Sequence, residues 1–70
     1  MAESLVSRLR ELRMERDLTQ AALADRVGVS RKTINTVENG VFVPSTLLAL
    51  KLARALGCTV EAIFSLGTEE

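Results

Sequence analysis

Apolar positions along most of this chain recur every three or four residues, the spacing that places side chains on one face of an α-helix. Leu5, Leu9 and Leu12 follow this spacing near the N-terminus, and Arg16 continues it. We therefore predict a first helix over about residues 3–17. No segment has a pattern that indicates a strand, so none is predicted.

Capping residues indicate the boundaries of four further helices. A hydroxyl side chain at the N-cap accepts a hydrogen bond from a free amide of the first turn, and glycine ends a helix because it readily adopts a left-handed backbone. The hydroxyl residues are Thr19, Ser30, Ser45 and Thr59, and the stop signals are Gly28, Asn39-Gly40 and Gly57. The predicted helices span about residues 20–27, 31–39, 46–56 and 60–66. Between them, residues 41–44 form an extended loop, and residues 67–70 form a frayed tail.

The composition supports a single all-α domain over residues 1–70. Apolar residues make up 47% of the chain, but Phe42 and Phe64 are its only aromatic residues, so a core must be built from aliphatic side chains. The single cysteine, Cys58, excludes an intramolecular disulfide and a cysteine-rich zinc site, and we expect it to be a small core residue. The sequence has neither an apolar run of membrane-spanning length nor a secretory signal, which predicts a soluble, cytoplasmic protein.

Catalytic chemistry finds little support in the sequence. The chain has no histidine to act as a base, no carboxylate cluster with metal-ligand spacing and no glycine-rich phosphate loop. We therefore expect neither an enzyme nor a cofactor or metal. The net charge is zero, which by itself counts against nucleic-acid binding, although seven of the nine basic residues lie within the first 32 positions. One basic face is sufficient for phosphate contact.

The informative segment is a predicted helix-turn-helix at residues 19–39. Two short helices joined by a turn at Gly28 can place the second helix in the major groove of DNA while the first lies across the backbone. Four polar side chains on the outward face of that second helix suit base edges, with arginine or lysine reading guanine, asparagine reading adenine and a threonine methyl contacting thymine. They are Arg31, Lys32, Asn35 and Thr36. The alternative is that they form an ordinary solvated face.

The chain resembles the Cro/CI family of helix-turn-helix regulators, also called the xenobiotic-response-element family. The resemblance is carried by LTQAALADRVGVS at residues 18–30, TI at 33–34 and ENG at 38–40, and it continues through PS at 44–45, LARALG at 52–57, VE at 60–61 and IF at 63–64. It implies a five-helix, lambda-repressor-like fold. It also implies a prokaryotic, sequence-specific transcriptional regulator, either a repressor or an autoregulator, that binds a palindromic operator in double-stranded DNA as a homodimer.

The resemblance also implies roles for individual residues. Gln20 matches a glutamine that binds phosphate and supports the recognition helix, which is the helix that enters the groove. Arg31, Lys32 and Thr36 match base-reading positions, and Asn35 accompanies them. Phosphate contacts are implied at Thr19, Gln20, Ser30, Asn39, Gly40 and Val41, the last three through backbone amides. Val41 departs from the basic residue that many relatives carry after this glycine.

Arg13 and Glu38 match a pair that forms a buried or half-buried salt bridge in phage repressors. A charge that faces a small core needs a partner, which agrees with this pairing. The alternative is that Arg13 points to solvent or to phosphate.

Dimerisation is predicted from side chains that are more apolar than their positions require. Leu47 stands where relatives often have a polar residue, and we expect it to lie near a dimer contact with Val60, Ile63 or Phe64. The alternative is that these residues complete a monomeric core. No small-molecule ligand is evident. A second possible function is that of an antitoxin or another protein-interaction module that uses the same fold.

Overall fold

The computed structural model describes residues 2–69. This part of the chain forms five helices and one two-stranded antiparallel sheet. In chain order the elements are β1 (Ala2–Ser7), α1 (Leu9–Glu15), α2 (Gln20–Val27), α3 (Arg31–Glu38), α4 (Thr46–Leu56), α5 (Val60–Ile63) and β2 (Phe64–Glu69).

Four helices begin at the hydroxyl residues that the sequence predicts as caps. The side chains of Thr19, Ser30, Ser45 and Thr59 each accept a hydrogen bond from the amide three residues later. Gly28 and Gly57 end α2 and α4 with φ angles of 74° and 69°, a left-handed conformation that costs glycine less than any other residue. The predicted bounds of α2 and α4 are confirmed, and α3 ends one residue earlier than predicted, with Asn39 as its C-cap.

The N-terminal prediction is wrong for residues before Leu9, because Ala2–Ser7 forms β1 rather than the first half of a helix. β1 pairs with β2 in antiparallel register, with Leu5 opposite Leu66 and Ser7 opposite Phe64. A spacing of four residues keeps two side chains on one face of a strand as well as of a helix, so the spacing of Leu5 and Leu9 did not distinguish the two structures.

The prediction of a helix over residues 60–66 is also wrong at its C-terminal end. α5 ends at Ile63 instead of residue 66, and Phe64–Glu69 forms β2. Most of the predicted frayed tail therefore belongs to a strand, while Glu70 lies outside the described residues. The fold is a helical, lambda-repressor-like helix-turn-helix fold with a small sheet, and it is not purely all-α.

The centre of the core receives one fully buried aliphatic side chain from each helix. Leu9, Leu23, Ile34, Leu52 and Ile63 each have 0% of their surface exposed. Burying each of them stabilises the fold by about 1.5–3 kcal/mol. Since these residues come from five different helices, the core fixes the position of every helix relative to the others.

The remaining core residues surround this centre. Phe64, at the start of β2, is 8% exposed, and Cys58 is partly buried against the same cluster. The Arg8 amide donates to the Ile63 carbonyl at 2.7 Å, which joins the start of α1 to the end of α5 beside the sheet. Within residues 2–69, no helix has both the length and the apolar character to cross a membrane.

We predict that Gly67→Ala destabilises the protein through a steric conflict within the sheet. A Cβ atom at position 67 would lie 2.8 Å from Val6 Cγ2, closer than two carbon atoms can approach without displacement. We expect a loss of about 1 kcal/mol in the free energy of unfolding, measured by urea denaturation. In a Val6→Ala background the same substitution should cost nothing, and an equal loss in both backgrounds would contradict the proposed conflict.

Candidate nucleic-acid interface

The outer face of α3 carries the side chains that the sequence predicts to read bases. Ile34 and Val37 point into the core, with 0% and 1% of their surfaces exposed, and so fix which face of α3 is turned outward. Arg31, Lys32 and Asn35 are exposed. They therefore lie on the part of the helix-turn-helix that is free to meet another molecule.

Thr36 differs from these three residues because it is only half-exposed. Its hydroxyl donates to the Thr33 carbonyl at 2.9 Å, one turn earlier on the same helix. The hydroxyl hydrogen is thus already used within α3. What Thr36 can still offer to a base is its methyl group and the remaining lone pair of its oxygen.

The first turns of α2 and α3 each provide amide donors for an anion. The first amides of a helix have no intrahelical acceptor, and the helix dipole makes this end positive. At α2 the Thr19 hydroxyl accepts from the Ala22 amide at 3.0 Å, and at α3 the Ser30 hydroxyl accepts from the Thr33 amide at 3.2 Å. The earlier amides of each helix, which include that of Gln20, are left for a phosphate.

The loop after α3 differs from the expectation that its backbone amides bind phosphate. The amide of Asn39 donates to the Asn35 carbonyl at 3.1 Å, and that of Gly40 donates to the Val37 carbonyl at 3.2 Å. Val41 donates likewise to a carbonyl of α3 at 3.0 Å. Since each amide has a single hydrogen, the tight closure of the helix end uses all three donors within the protein.

The structure brings Arg13 and Glu38 together, 25 positions apart in sequence. Arg13 Nε donates to Glu38 Oε2 at 2.6 Å, and Nη2 donates to Oε1 at 3.3 Å. The two side chains are only 11% and 2% exposed. Arg13 Nη1 also donates to the Leu18 carbonyl at 2.7 Å, so one guanidinium joins α1, the α1–α2 connection and the end of α3.

Gln20 extends this ion pair toward the outer face of α3. Its Nε2 donates to Glu38 Oε1 at 3.1 Å and to Asn35 Oδ1 at 3.2 Å. The side chain therefore links the start of α2 to α3, in agreement with the supporting role that the resemblance implies. Its amide hydrogens are both used within the protein, however, and this differs from the expectation that the side chain donates to phosphate.

Arg16 has a role that the sequence did not reveal. Its Nε donates to the Leu56 carbonyl at 2.5 Å and its Nη1 donates to the Leu12 carbonyl at 2.9 Å. It thereby satisfies a carbonyl at the C-terminal end of α4. Its partner is 40 positions away, so only the helical spacing of Arg16 was visible in the sequence.

The four residues expected near a dimer contact do not lie in equivalent environments. Leu47 is 63% exposed on α4, whereas Ile63 is fully buried and Phe64 is 8% exposed. Val60 packs partly against the core. The alternative of a monomeric core thus applies to Ile63 and Phe64, which have almost no surface left for a second subunit. Leu47 and Leu50 instead line a shallow groove on α4 with Lys51 and Arg54, which we call the α4 groove.

Comparisons with known proteins agree with this arrangement. The helix-turn-helix family model matches residues 9–63. An uncharacterised HTH-type transcriptional regulator of Methanothermobacter thermautotrophicus is 52% identical over 59 residues, which cover 83% of this chain and 86% of the relative. The cryptic phage CTXphi transcriptional repressor RstR of Vibrio cholerae is 36% identical over 59 residues, covering 84% of this chain and 53% of RstR.

A solved structure shows the same fold. The restriction-modification controller protein C.AhdI of Aeromonas hydrophila is 41% identical, with a TM-score of 0.73 over 77% of this chain and 82% of C.AhdI. The chain therefore belongs to the helix-turn-helix family, of the Cro/CI type. It is an HTH-type transcriptional regulator with a DNA-binding fold.

We predict that Glu38→Ala destabilises the protein far more than removal of an exposed carboxylate does. The substitution leaves the Arg13 guanidinium buried without its charged partner, a change that typically costs about 3–5 kcal/mol. Glu11→Ala is the matched control, because it also removes one partner of an arginine pair, but there the side chains are 51% and 64% exposed. Thermal or urea denaturation that gave equal losses for the two variants would contradict a stabilising role for the buried pair.

Proposed function

We propose that this protein is a sequence-specific DNA-binding regulator, a repressor or autoregulator, that places α3 in the major groove of a palindromic operator. The observation that carries this proposal is the exposed Arg31, Lys32 and Asn35 face of α3, held beside the N-terminal end of α2. RstR is named a transcriptional repressor and C.AhdI a controller protein, which supports a regulatory role of this kind.

Arg31 and Lys32 are the proposed base-reading cations. Both stand in the first turn of α3 and are exposed, and the first turn of a recognition helix is the part that approaches base edges. Guanine offers them the adjacent acceptors O6 and N7, and each good contact of this type discriminates against other bases by about 1–3 kcal/mol. Thr36, one turn later, contributes a methyl contact of the kind that thymine accepts.

Phosphate contacts are proposed at the ends of the helices. The proposed contacts are the first-turn amides of α2, starting at Gln20, and the hydroxyls of Thr19 and Ser30. The start of α2 lies next to the base-reading face, since Gln20 Nε2 is 3.2 Å from Asn35 Oδ1. After α3, the proposed phosphate contact is the Asn39 side chain, because the backbone amides there already donate within the protein. Only one hydrogen of the Asn39 side-chain amide is used within the protein. Gly40 and Val41 then contribute the shape of the loop.

We predict that Arg31→Ala and Lys32→Ala relax base preference at particular positions of the operator. Operator sequences should be selected from a random DNA pool with the wild-type protein and with each variant. Arg10→Ala is the control, because it removes one exposed positive charge from α1 and should leave the base preference unchanged. If the α3 variants lost affinity without any change in preference, their base-reading role would be wrong. Binding should also weaken steeply with salt.

A homodimer is proposed because one module of this size buries too little DNA surface for tight specific binding. Two copies related by a two-fold axis bind two half-sites whose centres are about 10 base pairs apart. Leu47 is the proposed contact, since it is 63% exposed on α4 beside Leu50, which is 56% exposed. Neighbouring apolar side chains of this kind commonly form the central part of a protein–protein interface.

We predict that the wild-type protein sediments as a dimer at micromolar concentrations and that Leu47→Glu sediments as a folded monomer, whose melting temperature no longer depends on protein concentration. The introduced carboxylate would have to lose its hydration at the interface, whereas it costs little on a monomer surface. Leu66→Glu is the control, since Leu66 is also exposed, at 73%, but lies on β2. A wild-type monomer at several hundred micromolar would reject the dimer.

A further inference from the structure

We propose that the buried Arg13–Glu38 pair determines the orientation of the side-chain amides of Gln20 and Asn35. Orientation here means which end of each amide, the NH2 donor or the oxygen acceptor, faces the DNA. In this arrangement Asn35 offers a base only N–H donors, and it selects guanine rather than adenine. The proposal rests on the proposed function, because it assumes that α3 reads bases. It replaces the sequence-based expectation that asparagine pairs with adenine.

The first step is that Glu38 can only accept hydrogen bonds. A guanidinium only donates and a carboxylate only accepts, so the contact of Arg13 with both oxygens of Glu38 has one possible polarity. Glu38 Oε1 also faces the Gln20 amide at 3.1 Å. A carbonyl oxygen of Gln20 at that distance would be repelled by the carboxylate, so the NH2 group must take this place.

The second step concerns Asn35 on α3, whose side-chain oxygen accepts a hydrogen bond from Gln20. The other hydrogen of Gln20 Nε2 is donated to Asn35 Oδ1 at 3.2 Å. Asn35 Oδ1 also accepts from Asn39 Nδ2 at 3.4 Å. Since a carbonyl oxygen has two lone pairs, both acceptor positions of the Asn35 side chain are used. Its Nδ2 group is left to point outward from an exposed position.

The third step is the consequence for base recognition. Asparagine reads adenine by accepting from N6 and donating to N7 at the same time, which requires a free Oδ1. Because Oδ1 is occupied, Asn35 can only donate. Guanine presents two adjacent acceptors in the major groove, O6 and N7, whereas thymine presents one acceptor, O4, beside its methyl group. Adenine places an amine beside N7, and cytosine presents an amine. Guanine is therefore the base that fits.

The same reasoning changes the role of Gln20. With both hydrogens donated inside the protein, its side chain can offer DNA only its carbonyl oxygen, which phosphate repels. Gln20 is thus a positioning residue, which acts through Asn35, and its backbone amide at the start of α2 is the group that remains for phosphate.

The internal network can be tested without DNA. The chain contains one glutamine and two asparagines, so its nitrogen-15 NMR spectrum has only three side-chain NH2 pairs. We expect both hydrogens of Gln20 to exchange with water slowly, and those of Asn35 to exchange as fast as in a free amide. Fast exchange of the Gln20 hydrogens in the folded protein would overturn the proposed network.

The base preference is tested with operators selected from a random DNA pool. Asn35→Ala identifies the position that residue 35 reads, because preference is lost there. We expect wild-type protein to select guanine at that position. Gln20→Met keeps the length of the side chain but removes the donors, so Asn35 can turn its oxygen outward, and binding to adenine relative to guanine should rise about tenfold. Ala21→Met is the control, since it places the same side chain at the neighbouring exposed position of α2.

The outcomes separate this proposal from the proposed function. Specific DNA binding in which the wild-type protein selects adenine at the Asn35 position, or an unchanged ratio in Gln20→Met, would overturn the polarity proposal and leave the DNA-binding function in place. So would an Asn35→Ala variant that lost preference at no position. Folded wild-type protein that bound no DNA selectively would overturn both. Melting temperatures of all variants are measured first, so that loss of folding is not mistaken for either result.

Discussion

The arrangement of the helix-turn-helix depends on one carboxylate that lies almost out of contact with water. The Glu38 side chain is 2% exposed at the end of α3, and an isolated charge in that place would be strongly unfavourable. Arg13 offsets this cost with two hydrogen bonds, and its third contact holds the Leu18 carbonyl. Because α1, the α1–α2 connection and α3 all meet at this pair, it adds a polar link between α3 and the N-terminal part of the chain to the contacts of the core.

Some residues of this small domain contribute both to its stability and to the proposed DNA surface. The core holds α3 through two buried side chains, Ile34 and Val37, and the polar contacts of Glu38 and Asn35 lie on the same short helix. Gln20 shows this sharing directly, because its amide contacts the buried carboxylate on one side and the exposed Asn35 on the other. The zero net charge is compatible with the proposed DNA surface, because there the positions of a few hydrogen-bond donors matter more than the total charge.

The proposed dimer surface and the proposed DNA surface differ in their apolar and polar side chains. The proposed DNA surface is built from donors fixed by α2 and α3, while the α4 groove exposes Leu47 and Leu50 beside two basic residues. These two surfaces are on different helices.

Features that arise from interactions between residues close together in the chain were predictable from the sequence alone. The N-caps at Thr19 and Ser30, the left-handed stops and the bounds of α2 and α4 depend on contacts within three or four residues, and all were predictable. The family resemblance added the pairing of Arg13 with Glu38. The remaining features depend on contacts between distant parts of the chain. Ala2–Ser7 becomes a strand because its partner lies at the other end of the chain, and the same spacing would fit a helix. The burial of Ile63 and the contact of Gln20 with Asn35 likewise depend on groups that meet only when the core forms.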